Sequence, residues 1–290
     1  MRSSLRSHGQ HPVTIFLHVP RTAGSTLARI IERRYPRDGI LHLYESDFGE
    51  ELMSISPELR DRLRVVMGHF YFGAHNFLDR RARYITLIRD PVERTISHYH
   101  YARRSPLHHF HDAARELELG EFVDHCARES RATGIALGFC SDNDQTRQLA
   151  GKGGIPKLRT NAQEMLMTAK RNLAEHFAVV GVTEKFDRSL LLMKRRLGWG
   201  RTLYVSRNVN PDRAARKPID QETLEVIRAV NQLDLELYRY AESRLENEVR
   251  SQGAAFAAEL RRFKRLNGMY GRLHRHASAL RLGENGETVR

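Results

Sequence analysis

Apolar residues recur along this chain in short runs that alternate with helical spacing. The run at 13 to 18, "VTIFLH", is β-rich and stops before Pro20 and Gly24. "STLARIIERRY" then places Leu27, Ile30 and Ile31 on one face, so a strand, a tight turn and a helix are predicted in succession. Further strands are predicted at 40 to 44 ("ILHLY"), 64 to 68 ("RVVMG"), 84 to 88 ("YITLI") and 177 to 182 ("FAVVGV"). Helices are predicted near 57 to 63, over surface segments 111 to 129 and 160 to 175, at 184 to 197, and as one long element from 219 to about 248. "RDPVERTISHYHYARR" carries its own start signal: Asp90 as N-cap, Pro91 at the first helical position and Glu93 placed to close a capping box. Strands alternating with helices predict an α/β chain with a doubly wound, mainly parallel sheet flanked by helices. The expected organisation is a polar leader at 1–12, one domain at 13–248 and a basic helical C-terminal extension at 249–290.

Composition narrows this little, and charge narrows it more. The hydrophobic share of 40% and charged share of 29% are ordinary for a globular protein and favour neither a disordered nor a fibrous class. A net charge of +13 makes the surface attractive to nucleic acid, acidic lipid, acidic polysaccharide or a phosphate-rich cofactor, without choosing among them. Arginine predominates among the cations; its planar fork suits phosphate, sulfate and carboxylate, although a GC-rich genome produces the same bias. The two cysteines, Cys126 and Cys140, fit neither a zinc site nor a disulfide framework, so both are expected in the core and in a reducing compartment. The first twelve residues lack an apolar signal segment and no stretch nears the ~20 apolar residues of a membrane span, so a soluble chain is expected. The tail at 252 to 282 is expected to cover the core, with contact to a membrane surface or to an anionic acceptor as its alternatives.

Candidate chemistry sits at two strand ends. In "PRTAGST" a strand-to-helix turn combines unpaired amide groups, the positive end of a helix, Gly24, Arg21 and hydroxyls at Thr22, Ser25 and Thr26; a phosphate or sulfate is the expected guest. The order of residues is not that of a Walker A loop, which disfavours a Mg²⁺-dependent nucleotide hydrolase. Arg89 ends the fourth strand and Ser97 lies about two turns into the next helix, with Arg94 on a neighbouring face. Ligands bind at that end of a doubly wound sheet, so a ligand phosphorylated at both ends is expected.

At these residues the chain resembles a known family. "FLHVPRTAGSTL" resembles the 5′-phosphosulfate loop, and "LIRDPVERTISHYHY" the 3′-phosphate segment, of carbohydrate sulfotransferases that use 3′-phosphoadenosine 5′-phosphosulfate (PAPS), above all the heparan sulfate 2-O-sulfotransferase type and its bacterial relatives. "VVMGHFYFG", "DNDQTRQLAG", "VVGVTEKFDRSLLLMKRRLGW" and "NQLDLELYRYA" extend the similarity over most of residues 13 to 245. The resemblance implies a P-loop-like fold. It implies that Arg21, Thr22, Ala23, Gly24, Ser25 and Thr26 hold the 5′-phosphosulfate, that Arg89 and Ser97 grip the 3′-phosphate, and that Arg213, Arg216 and Lys217 close over the cofactor. His69, in "GH", matches the family's catalytic base. Where the family usually has Lys, this chain has Arg21, which cannot surrender a proton at neutral pH and so would only stabilise developing charge.

The implied reaction is sulfuryl transfer from PAPS to a hydroxyl of a glycan or glycolipid, acidic if the surface charge is a guide, with His69 as base and no metal. Five histidines between 98 and 111 invite a zinc reading through His98/His100 and His109/His111, but no carboxylate or thiolate completes the set; solvated helix ends or an aromatic, basic wall are preferred. His18 is expected to belong to the strand end only. Eukaryotic members of the family it resembles generally begin with a Golgi membrane anchor, so a bacterial, cytoplasmic enzyme is expected here, with no nucleic-acid partner. The rival readings are a P-loop-like kinase, which would need Mg²⁺ and a Walker B acid, and a basic nucleic-acid-binding protein.

Overall fold

The computed structural model describes residues 11–43, 48–133, 142–151, 161–205 and 218–284. Five strands, β1 (Val13–Leu17), β2 (Ile40–Leu43), β3 (Val65–Gly68), β4 (Ala82–Ile88) and β5 (Phe177–Val182), form one sheet in the order β2-β3-β1-β4-β5. Every pairing among them is parallel. All five residues of β1 are buried, as a central strand covered on both faces requires. From β1 the chain winds to β2 and β3 on one side, then crosses to β4 and β5 on the other. The winding reverses between β1 and β4, and there the loops at the carboxyl ends open a crevice.

Twelve helices flank the sheet among the described residues. α1 (Gly24–Glu32) follows β1, and α2 (Phe48–Ser54) and α3 (Pro57–Arg62) separate β2 from β3. α4 (Pro91–Arg104) follows β4, and its predicted start is present: the Asp90 side chain accepts from the Glu93 amide at 3.0 Å. The reciprocal half of the box differs, because the Asp90 amide donates to Glu184 Oε1 at 3.3 Å while Glu93 Oε2 faces Arg89. A carboxylate from beyond β5 thus serves the amide that Glu93 was expected to serve.

The segment predicted as one helix at 111 to 129 is two, α5 (His111–Glu116) and α6 (Leu119–Thr133). α6 is no mere surface element: Phe122, Val123 and Cys126 are buried with Ile96, Tyr99 and Ile227 in a second, smaller core. Cys140 lies outside the described residues. α7 (Asp144–Ala150) and α2, both seven residues long, are absent from the sequence expectation, since two turns leave too few repeats to register a helical period. α8 (Ala162–His176) and α9 (Phe186–Leu197) flank β5. The long helix expected from 219 is α10 (Gln221–Val230) and α11 (Gln232–Ser251), broken at Asn231, whose buried amide donates to the Ile227 carbonyl at 2.9 Å. α12 (Gly253–Glu284) packs Phe256 and Phe263 into the main core and ties Glu259 to Lys194 and Arg195, each at 2.7 Å. No helix among the described residues is long and apolar enough to cross a membrane.

Candidate active site

The chain leaves β1 at Leu17 and turns through Arg21 and Ala23, both in the left-handed region (φ 65° and 64°) that non-glycine residues adopt only when their surroundings hold them there. Ala23 is the N-cap of α1 and makes no side-chain cap bond to the amides that open this helix. The hydroxyls do not all face outward as expected. Thr22 is fully buried and donates to the Val19 carbonyl at 2.7 Å, stapling the turn from within, and Thr26 is buried as well. Ser25 alone of the three is exposed. Any anion contact from Thr22 therefore runs through its backbone.

Two distant segments hold this turn in place. Arg94, on the inner face of α4 and 1% exposed, donates Nε to the Pro20 carbonyl at 3.3 Å and pairs through Nη2 with Asp144 at 3.1 Å. Burial pushes the Asp144 carboxyl up to about 6 against the pull of Arg94. Gln145, next along α7, clasps the Arg89 backbone in both directions, accepting from its amide (3.0 Å) and donating to its carbonyl (2.9 Å). α7 is in turn capped from α11, where the buried Asp234 carboxylate accepts from Gln145 N, Thr146 N and Thr146 Oγ1 at 2.7–3.1 Å. On the other side, Thr183 Oγ1 donates to the Thr22 carbonyl at 2.9 Å.

Arg21, Arg89 and Ser97 meet in the crevice. Arg89 Nη1 donates to the Arg21 carbonyl at 3.1 Å, and the Arg21 guanidinium donates from Nε and Nη2 to Ser97 Oγ at 3.3 and 3.2 Å. The two strand-end groups thus adjoin, with Arg21 reaching from one to the other. Its guanidinium also lies over the Tyr101 ring, 4.6 Å from the centroid. Tyr101 is not singled out by the sequence motifs, though it stands four residues after Ser97 and hence on the same face of α4. Burial first, then the nearby Arg89, lower Arg21 to about 10, so it remains a cation at neutral pH. Glu93 and Glu184 lie 3.3 and 3.9 Å from the Arg89 guanidinium and steady it. Burial raises the Glu184 carboxyl from its ordinary value, against the pull of Arg89.

His69 follows β3 directly. Gly68 precedes it with φ 150°, and a Cβ there would lie 1.7 Å from the Leu43 carbonyl oxygen, so only glycine admits this close approach of β2. His69 Nδ1 is 2.8 Å from the His18 carbonyl. A carbonyl can only accept, so Nδ1 carries the proton and Nε2 the lone pair. Burial holds His69 below the ordinary imidazole value of 6.5, partly offset by that same hydrogen bond, and the ring is neutral at pH 7. His18 does more than end a strand. Its ring stacks on Phe16 (5.2 Å between centroids) and abuts His69 (4.2 Å), while its carbonyl also accepts from Gln148 Nε2 at 3.3 Å. The His18 ring lies under Gly24, where a Cβ would come within 1.9 Å of it. Gly24→Ala is accordingly expected to displace both imidazoles and cost about 1–3 kcal/mol; thermal unfolding together with the imidazole NMR signals checks this.

The histidine-rich stretch is not a row of solvated ends. His98 is buried against His108 (4.8 Å) and Phe122 (6.4 Å), and His111 Nδ1 lies 2.9 Å from the Ala102 carbonyl. Among the described residues no group of three or more His, Cys, Asp or Glu is placed to hold a metal ion. Beside the turn lies a cavity of about 300 Å³ lined by Thr183, Glu184, Phe186, Arg188, Tyr204 and Lys264, which sequence reasoning misses because β5, α9 and α12 each supply or border part of it. Arg213, Arg216 and Lys217 lie outside the described residues.

A family model described as galactose-3-O-sulfotransferase matches residues 3–276. Heparan-sulfate 6-O-sulfotransferase 1-A of Danio rerio is 30% identical over 179 residues, covering 56% of this chain and 43% of that protein. Galactosylceramide sulfotransferase of Bos taurus is 24% identical over 277 residues, covering 87% and 62%. The chain thus spans less than two thirds of the length of either relative. Among solved structures, mouse sulfotransferase SULT7A1 complexed with PAP aligns with a TM-score of 0.36 and 16% identity, over 76% of this chain and 64% of that one.

Proposed function

This chain belongs to the galactose-3-O-sulfotransferase family, and from that footing we propose that it transfers a sulfuryl group from PAPS to a hydroxyl of a glycan or glycolipid. The observation that carries the reading is the convergence of Arg21 and Arg89, from the loops after β1 and β4, at the uncapped start of α1. Beside the ion pairs that Arg89 makes with Glu93 and Glu184, two guanidinium groups in one partly buried crevice favour an anionic guest, and such clusters mark oxyanion sites.

In this reading the amides of Ala23 to Thr26 and the Arg21 guanidinium bind the 5′-phosphosulfate end, while Arg89 and Ser97 bind the 3′-phosphate. Arg21 leaves Ser97 as the nucleotide enters between them. The cavity beside Thr183 takes the base, where Phe186 and Tyr204 offer aromatic surface. His69 Nε2 accepts the proton of the acceptor hydroxyl as the acceptor oxygen bonds to sulfur. The bond from sulfur to the bridging oxygen of the phosphosulfate breaks, and adenosine 3′,5′-bisphosphate leaves. Arg21, a cation throughout, stabilises the charge that develops on that bridging oxygen. A sulfuryl group carries less negative charge than a phosphoryl group, so the proposal needs no metal. An acidic acceptor, which the charge of +13 favours, and a cytoplasmic location are part of the same proposal.

Titration calorimetry tests this. Adenosine 3′,5′-bisphosphate is expected to bind saturably and to outcompete ATP, and Arg89→Ala is expected to weaken it by about 1.5–3 kcal/mol through lost charge-assisted bonds. Preference for ATP with Mg²⁺ would favour the kinase reading. Transfer of label from PAPS across a glycan panel then identifies the acceptor.

A further inference from the structure

Past Phe263, none of the residues of α12 from Lys264 to Arg275 is buried. Asn267 Oδ1 still accepts from the Tyr204 amide at 2.8 Å, which fixes which side of the helix faces inward. A single helix without packing is marginal in water, so a segment of this kind implies a surface that it meets. Its own residues describe that surface. Leu266, Met269 and Leu273 are 43%, 47% and 69% exposed and recur at i, i+3 and i+7, which places them in one apolar stripe, turned away from the Asn267 side. At about 100° per residue, Arg261, Arg265 and Arg272 form a second strip roughly 90° around the helix. Lys264 and Arg275 stand beyond it, and the sequence from Leu260 to Gly283 contains no acidic residue.

We infer that the 261–275 segment of α12 docks on an anionic lipid bilayer surface, with Leu266, Met269 and Leu273 entering the headgroup boundary and Arg261, Arg265 and Arg272 meeting the lipid phosphates. An apolar stripe bordered by cations and free of acids matches a negatively charged interface on both counts. The other occupants fit less well. A second copy laid on the same stripe would set one arginine strip against another. The stretch at 206–217 carries Arg207, Arg213, Arg216 and Lys217 against a single acid, Asp212, and the chain start at 1–10 carries Arg2 and Arg6 and no acid, so by charge neither complements this helix. The inference rests on α12 alone and is independent of which reaction the crevice performs.

Sedimentation of the full chain with phosphatidylcholine vesicles, with and without phosphatidylglycerol, tests it. Binding is expected only when phosphatidylglycerol is present, and it should fall as salt is added. Replacing the stripe (Met269→Ser with Leu273→Ser) or the strip (Arg265→Gln with Arg272→Gln) should each weaken binding at least about tenfold. Thermal unfolding and bisphosphate binding should stay unchanged, since none of these side chains lies in the core or the crevice. Equal binding to neutral vesicles, no binding to either, or stripe variants that bind like the parent chain would each overturn the inference. A parent chain that scatters light as a dimer, converted to a monomer by the stripe substitutions, would overturn it in favour of a second copy.

Discussion

His69→Ala is expected to slow sulfuryl transfer by about 10²–10⁴-fold while adenosine 3′,5′-bisphosphate binds within roughly twofold of the parent chain. The two effects separate because the proposed base meets the acceptor hydroxyl and not the nucleotide. The pH profile gives an independent readout. Burial lowers the His69 pKa below 6.5, so the lone pair on Nε2 is present at neutral pH, and the rate should stay level there and decline only as acid protonates the ring below that value. An acid limb lying above 6.5 would contradict this assignment. So would a His69→Ala enzyme with near-parental single-turnover rates. His69→Gln should not rescue transfer, since an amide near the His18 carbonyl restores a donor there but no base.

The second large effect is on stability. Arg94→Met is expected to destabilise the fold by about 3–5 kcal/mol, or roughly 6–20 °C in Tm, because it leaves the largely buried Asp144 without its ion-pair partner. The sign of the pH dependence follows. With Arg94 present, burial already holds Asp144 near 6. Without it the carboxyl rises further, so its charged form is penalised most at neutral pH, and the gap between variant and parent should narrow as acid neutralises Asp144. Denaturant unfolding at neutral pH and at about pH 5 measures this. Adding Asp144→Leu should restore much of the stability, since a buried ion pair is often replaced by apolar residues at little cost. It should not restore tight bisphosphate binding, because the Pro20 carbonyl still lacks the Arg94 donor that holds the turn. Full recovery of binding in the double variant would show that Arg94 supports the fold without positioning the turn.

β1, β3 and β5 are legible in the sequence because buried strands read as continuous apolar runs, β4 because its last five residues do the same, and the half-exposed edge strand β2 because Ile40, Leu41 and Leu43 still make a short apolar run; the start of α4 is legible because Asp90 and Pro91 signal locally. α2 and α7 are too short to show a period. The break at Asn231 is hidden because a polar residue between two amphipathic segments leaves their pattern nearly continuous. The candidate residues split in the same way. Arg21, Arg89 and Ser97 stand out by their places at strand ends and their spacing, and they do meet. The inward turn of Thr22 is not legible, because a hydroxyl in a turn serves an anion or its own backbone equally well, and only packing decides.

What this sequence determined alone is whatever depends on neighbours within a turn or two: the apolar runs of the strands, the cap at Asp90, the amide-rich turn after β1, and the absence of acids between Leu260 and Gly283. What the tertiary structure decided is every relation between segments distant in the chain. Arg21 reaches Ser97 across 76 residues, Arg94 reaches Asp144 across 50, and the His18 carbonyl sets the tautomer of His69 across 51. Such pairs leave no periodic trace, because each needs only one side chain of the right chemistry at its position. A parallel sheet brings them together through crossovers that the sequence specifies only as a whole.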